Sequence, residues 1–152
     1  MNRITVAELT SEAFAPSGEV GAPHVDGGQA PLDDVALDLS RGMPRSYVMR
    51  LAQHGPVFEV MAPHDRLTQC LSAVDGEPWL IAVAPSIAQP GPIDISAFRI
   101  LSARSIKLGP STWHAGPCFP GPPRDLSNLE TVRPSIADYT VWQLHEPVEF
   151  AT

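Results

Sequence analysis

Asp75-Gly76-Glu77-Pro78-Trp79-Leu80-Ile81-Ala82-Val83-Ala84 is the stretch on which the fold turns. From Pro78 to Ala84 it is near-continuously apolar, with turn residues on both sides: Asp75-Gly76 before it and the proline-punctuated Pro85 to Pro92 after it. An apolar run bounded in this way reads as a strand in the middle of a barrel or sandwich. Upstream, Leu67 to Val74 (LTQCLSAV) is a second strand-like run, and Asp-Gly between two such runs predicts a hairpin.

The same pattern continues in both directions. Ser46–Leu51 (SYVMRL) and Val57–Met61 (VFEVM) alternate on either side of a turn at Gln53–Pro56, and Ala97–Leu101 (AFRIL) and Ser105–Leu108 (SIKL) follow downstream. Asp138–Leu144 (DYTVWQL) alternates again and is expected to close the sheet. Near the start, Leu9–Gly18 (LTSEAFAPSG) predicts a short helix, capped by Thr10 or Ser11 and stopped at Pro16–Gly18. Residues 19–45 are polar and rich in turn residues, which predicts a long loop with one short strand around Val35–Leu39. Strands at roughly ten-residue spacing indicate a mainly β fold, a small antiparallel barrel or jelly roll with a short N-terminal helix. The expected division of the single domain is a helix and loop arm over 1–45 and a barrel over 46–145.

Composition supports this reading. Seventeen prolines among 152 residues exclude a long-helix bundle, because an interior proline costs a helix about 3 kcal/mol. A hydrophobic share of 43% is enough for a real core. The net charge of −7, from 10 basic and 17 acidic residues, argues against nucleic-acid binding, which rests on cations neutralising phosphates. Cys70 and Cys118 form no CxxC pair, and MNRITVAELT lacks the apolar core of a signal peptide. No segment approaches 18 apolar residues. The expected setting is cytoplasmic, with both thiols reduced and no membrane partner.

Of the five histidines, His24, His54 and His145 lie in polar or turn segments, and surface or structural roles are expected for them. His64 and His114 each stand at the mouth of a strand or turn. On the strand starting near Leu67, Gln69, Leu71 and Ala73 share one face and Cys70, Ser72 and Val74 the other. If its face is buried, Gln69 needs partners from backbone, water or ligand, since an unpaired buried amide costs about 1–3 kcal/mol. In Gly109-Pro-Ser-Thr-Trp113-His114, Trp113 could wall a small pocket with His114 pointing in as base or ligand.

His64, Gln69, the Asp75-Gly76-Glu77 turn and the strand after it resemble the first sequence motif of cupins, and Gly109 to His114 resembles the second. With the ends included, the chain resembles the ureidoglycolate lyase family, a cupin branch. The resemblance runs from Leu9–Val20 through His64–Gln69, Trp79–Ala84, Ala97-Phe98 and Trp113-His114 to Asp138-Tyr139-Thr140. The chain departs from the family at Ala62-Pro63, where a Glu-Arg pair is usual, and at Leu108-Gly109, where Tyr-His is usual. Ala115 stands where a second histidine usually follows.

The resemblance implies a cupin-type barrel that cleaves a C–N bond of ureidoglycolate to give glyoxylate and urea. It implies His64 and His114 as catalytic residues, with Arg50 or Arg66 facing the substrate carboxylate and Gln69 binding the ureido group. It also implies His64, Gln69 and His114 as the trio that could accept one divalent metal ion, an incomplete ligand set by cupin standards. The implied partners are a small carboxylate or ureido substrate and a second copy of the chain in a homodimer. The alternatives are a cupin with a diverged substrate (a metal-dependent isomerase, lyase or dioxygenase acting on a small carboxylate) and a non-catalytic small-molecule binding module.

Overall fold

A computed structural model describes residues 1–28, 33–52, 54–63, 68–132 and 140–152. The chain is mainly β, as expected. Its described strands are β1 (Asn2–Glu8), β2 (Gly18–Gly21), β3 (Met43–Leu51), β4 (Val57–Pro63), β5 (Gln69–Ala73) and β6 (Trp79–Ala84), then β7 (Ser96–Ile100), β8 (Ser105–Leu108), β9 (Trp113–Cys118), β10 (Arg124–Val132) and β11 (Trp142–Ala151). One short helix, α1 (Ser11–Phe14), lies between β1 and β2. Six strands close a barrel in the order β1-β11-β4-β9-β6-β7, and the other five form a sheet in the order β2-β8-β5-β10-β3.

The barrel strand β6 has one face in each of the two cores, which explains its composition. Trp79, Ile81 and Val83 pack with Phe98 and Ile100 of β7 and with Leu71, Ile106, Leu108 and Leu126 of the five-stranded sheet. Ala82 and Ala84 belong to the core inside the barrel, with Phe58, Met61, Ala97, Ala115 and Phe150. A strand between two cores has no face left for polar residues, so PWLIAVA is apolar throughout. The small alanines face the narrow barrel and the larger side chains face the wider space between the sheets.

Thr10 caps α1, its Oγ1 accepting from the Ala13 N–H at 3.1 Å. The turn delivers Phe14, fully buried, edge-on to Phe98 at 5.4 Å between ring centres. Gly18 then lets β2 run beside β8, where a Cβ would collide with the Lys107 carbonyl oxygen.

Several expectations are corrected. Asp75-Gly76 does turn the chain, with Gly76 at φ 74°, but β5 and β6 do not form a hairpin: they belong to the five-stranded sheet and the barrel respectively. The turn is a corner between the two, anchored by Arg124, whose guanidinium donates to both Asp75 carboxylate oxygens and to the Pro78 and Glu77 carbonyls. Val35–Leu39 forms no strand. The barrel is not confined to 46–145, because β1 closes it, pairing with β11 and β7. Both of those pairings are parallel, so the barrel is antiparallel only in its other ladders. The predicted closing strand at Asp138–Leu144 begins only at Trp142 and continues to Ala151 past an irregularity between Gln143 and Val148; residues 138 and 139 lie outside the described residues. β10, in a stretch to which sequence patterning assigns no element, pairs with both β3 and β5.

Candidate functional site

Residues directly opposite each other in a ladder point to the same face, so the registers of the five-stranded sheet place side chains in rows. One row runs Arg45, Glu130, Gln69, Leu108; the next runs Tyr47, Asn128, Leu71, Ile106; the third runs Met49, Leu126, Ala73. Leu71, Ile106, Leu108 and Leu126 belong to the core between the sheet and the barrel, which fixes all three rows as inward-facing. That inner face is apolar apart from Arg124, opposite Leu51 at one end, and a corner at the other end, where β3, β10 and β5 contribute five polar side chains.

The corner is tightly bonded. Arg45 Nε donates to Glu130 Oε1 at 2.7 Å, and its Nη2 closes on the same oxygen. Asn128 Nδ2 donates to Glu130 Oε2 and to the Tyr47 hydroxyl oxygen, both at 3.1 Å. The Arg45 guanidinium lies over the Tyr47 ring at 4.6 Å. Burial is deep for such groups: Asn128 is 1% exposed, Gln69 7% and Glu130 9%. Carboxylates are seldom buried so far unless paired. Two acceptors, Gln69 Oε1 and Asn128 Oδ1, are shut from solvent and reached by no donor among the described residues. A buried acceptor left without a partner costs about 1–3 kcal/mol, so each calls for a donor from water or a ligand.

On the facing strands, His114 of β9 lies opposite Val83 of β6 and Ala62 of β4. Val83 belongs to the core between the sheets, so His114, half-buried, faces the same interior as Gln69. Trp113 has the opposite parity: it packs inside the barrel and donates its indole N–H to the Ile87 carbonyl at 2.8 Å. Its expected place as a wall beside His114 is therefore corrected. Arg50 is also corrected, since β3 turns it to the outer face, where it pairs with Asp125 through bonds of 2.8 and 2.9 Å. Arg45, of opposite parity, is the β3 arginine on the inner face. His64 and Arg66 lie outside the described residues.

The remaining histidines are peripheral. His24 bonds Asp34 at 2.8 Å, which raises its pKa, and His54 and His145 are exposed. Tyr47, Arg45, Asn128 and Glu130 had no role in the sequence reading. The alternation of β3 was visible, but SYVMRL does not say which parity is internal; the partner strand β10 decides it.

The donors near Gln69, among the described residues, make a poor metal site. Among the described residues no three of His, Cys, Asp and Glu converge on one point. Both Glu130 oxygens are engaged by Arg45 and Asn128, and the Gln69 amide is a weak neutral donor.

The fold is a β-barrel backed by a second sheet, with a polar corner whose Gln69, Asn128 and Glu130 are buried and whose Arg45 and Tyr47 lie at the rim. No helix among the described residues is long and apolar enough to cross a membrane. The chain belongs to the ureidoglycolate lyase family, which it matches over residues 1–126. The match ends inside β10, before Asn128 and Glu130. Among solved structures, a dTDP sugar isomerase from Desulfovibrio desulfuricans G20 is similar over 84% of this chain and 85% of that chain, with 13% identity and a TM-score of 0.48. No curated protein sequence matches this one.

Proposed function

We propose that the chain is a carbon–nitrogen lyase that cleaves ureidoglycolate to glyoxylate and urea. The observation that carries this reading is the buried, acceptor-rich corner of Gln69, Asn128 and Glu130 facing the same interior as His114, in a chain of this family. The reaction removes the proton of the substrate hydroxyl, turns that C–O bond into a carbonyl, and breaks the C–N bond. The electron pair stays on nitrogen, which takes a proton and leaves as urea. His114 takes the hydroxyl proton, imidazole being the side chain most often used as a general base. The same imidazolium then supplies the proton to the leaving nitrogen, so the protons balance. Gln69 and Asn128 accept from the ureido N–H groups, and Arg45 orients the carboxylate from the rim. His64 and Arg66 enter this proposal from the sequence alone. A cytoplasmic homodimer is part of the same proposal, and light scattering of the purified chain tests the dimer.

Incubation with ureidoglycolate, following glyoxylate against the spontaneous rate, tests the activity. Release well above that rate in the wild type, lost in His114→Ala, is expected; release at the spontaneous rate from the folded wild type refutes the reading. A second reading, a barrel of the same family with a different small carboxylate substrate, is favoured by Ala62. It is the cross-strand neighbour of His114, so a methyl group borders the imidazole where the family usually carries a charged side chain. Purified protein that is inactive on ureidoglycolate but binds another small carboxylate would support it.

A further inference from the structure

We propose that the cleft where the barrel ends beside Trp79 is a second ligand site, which takes a small apolar monocarboxylate. The carboxylate pairs with Arg99, and the aryl or alkyl body lies against a wall of prolines. The site is separate from the polar corner and does not rest on the reading of that corner. Trp79 and Val83, the residue opposite His114, are four positions apart on β6, about 13 Å at 3.3 Å per residue.

The strand registers build the cleft. Leu80 of β6 lies opposite Arg99 of β7 and Cys118 of β9, so the three share one face. Leu80 and Cys118 pack in the barrel core, and Arg99 is the exposed member of the same row. Trp79, one residue earlier, belongs to the core between the sheets. The cleft, about 630 Å³, is lined by both Trp79 and Leu80, so it wraps the start of β6 and meets both faces of the strand. Pro78, Pro120, Pro122 and Pro123 line it as well, and their locked backbone makes a wall that is stiff before any ligand arrives. Small-molecule sites run from about 300 to 1,000 Å³, and this volume falls among them.

Two groups there lack partners. Arg3, Arg41, Arg45, Arg50, Lys107 and Arg124 each hold a carboxylate. Arg99 and Arg104 hold none among the described residues, and Arg99 is the one beside this apolar wall. Glu8 is its ladder partner on β1 but forms no ion pair with it, so the guanidinium is open to an outside anion. The indole N–H of the buried Trp79 meets no acceptor among the described residues. The ring otherwise packs among apolar side chains, so the cleft is where an acceptor can come from. Charge then sets the valence. Asp75 is neutralised by Arg124, and the exposed Glu77 brings a further carboxylate to the cleft. Arg99 balances one anionic group, and a second would meet Glu77 as a like charge.

Calorimetric titration of the full chain with phenylacetate, the uncharged phenylacetamide and the dianion phenylmalonate tests this. Phenylacetate is expected to bind at least about tenfold more tightly than either. Arg99→Gln should weaken it about tenfold, to the level of the amide, and Arg99→Lys should keep the preference for the acid. His114→Ala should leave the affinity unchanged, since the imidazole lies at the other end of β6. In isotope-labelled protein the Trp79 indole signal, the one common to Trp113→Phe and Trp142→Phe, should shift on titration. That of Trp113, bonded to the Ile87 carbonyl, should not.

Circular dichroism establishes that each variant is folded, and the exposed Arg99 gives up no core packing when replaced. No phenylacetate binding, amide or dianion binding as tight as the acid, or unchanged affinity in folded Arg99→Gln would overturn the proposal. A Trp79 signal that stays fixed at saturation would do the same. Affinity kept in Arg99→Gln but lost in folded Arg45→Met or His114→Ala would put the carboxylate in the polar corner and also overturn it. Glyoxylate release plays no part in these measurements, so the site stands or falls apart from the lyase reading.

Discussion

Arg45→Met is the substitution that most directly probes the polar corner. Methionine keeps much of the aliphatic stem and removes the guanidinium, leaving Glu130 buried with Asn128 as its remaining side-chain donor. The cost lies between two limits. An exposed ion pair is worth about 0.2–1 kcal/mol, whereas removing one partner of a fully buried pair costs about 3–5 kcal/mol. Here the carboxylate side chain is 11% exposed and the guanidinium 53%, so the acceptor is buried and the donor is half solvated. The loss should fall at about 2–4 kcal/mol, since the penalty comes from the carboxylate left behind. For a chain of this length that is a fall of about 5–15 °C in Tm. The double variant Arg45→Met, Glu130→Leu removes the stranded charge and should recover to within about 1 kcal/mol of the wild type, as apolar replacement of buried pairs often does. Urea denaturation of the wild type, both single variants and the double variant gives the coupling energy directly. A single-variant cost below about 1 kcal/mol, or a double variant no more stable than Arg45→Met, would show that Glu130 is not effectively desolvated. The placement of the corner between the two sheets would then be wrong.

Other outcomes follow from the corner at Asp75 and from the two thiols. Hydrogen bonds from Arg124 hold the Asp75 carboxyl at about 2, below its ordinary 3.8. A depressed carboxylate stabilises the fold above its ordinary pKa and loses that contribution as pH falls through its folded value. Arg124→Met should therefore lower Tm at pH 7, with a gap from the wild type that narrows as pH falls from about 4 toward 2; melting curves across that range would show a constant gap if the pair contributes nothing. Burial leaves Cys118 unexposed and pushes its thiol up to about 12, and burial also raises Cys70. An aromatic disulfide reagent at pH 8 should leave Cys118 unmodified in the native chain and react with both thiols after unfolding. Rapid native reaction at Cys118, read by mass spectrometry, would contradict its burial in the barrel.

The strands that sequence patterning found and those it missed differ in what they bury. β5 to β8 bury apolar side chains on at least one face, so the period of two or the continuous apolar run shows through. β10 reads Arg-Asp-Leu-Ser-Asn-Leu-Glu-Thr-Val, and two of its inward positions are Asn128 and Glu130. Polar residues at buried positions erase the alternation, and the spacing of Leu126 and Leu129 does not restore it. The same substitution of polar for apolar that makes β10 useful also makes it invisible. β1 was hidden for another reason: Asn2–Glu8 is stabilised by parallel partners, β7 and β11, far away in sequence. Within the candidate site, Gln69 was legible because one amide interrupts an apolar strand, and His114 because it follows a turn. Trp113, adjacent to His114, was assigned to the wrong face of the same strand.

From its order of residues alone, this chain settles that it is a proline-punctuated, mainly β domain with a central apolar strand at Trp79–Ala84 and an amide, Gln69, interrupting an apolar strand face. Those features are local, since periodicity and turn chemistry act over a few residues. Which arginine of β3 turns inward, which carboxylate it meets, and that Asn128 is held with its oxygen unpartnered were decided only when β10 docked between β3 and β5. Register across strands more than fifty residues apart sets the face of every side chain on them, and no local pattern carries that information.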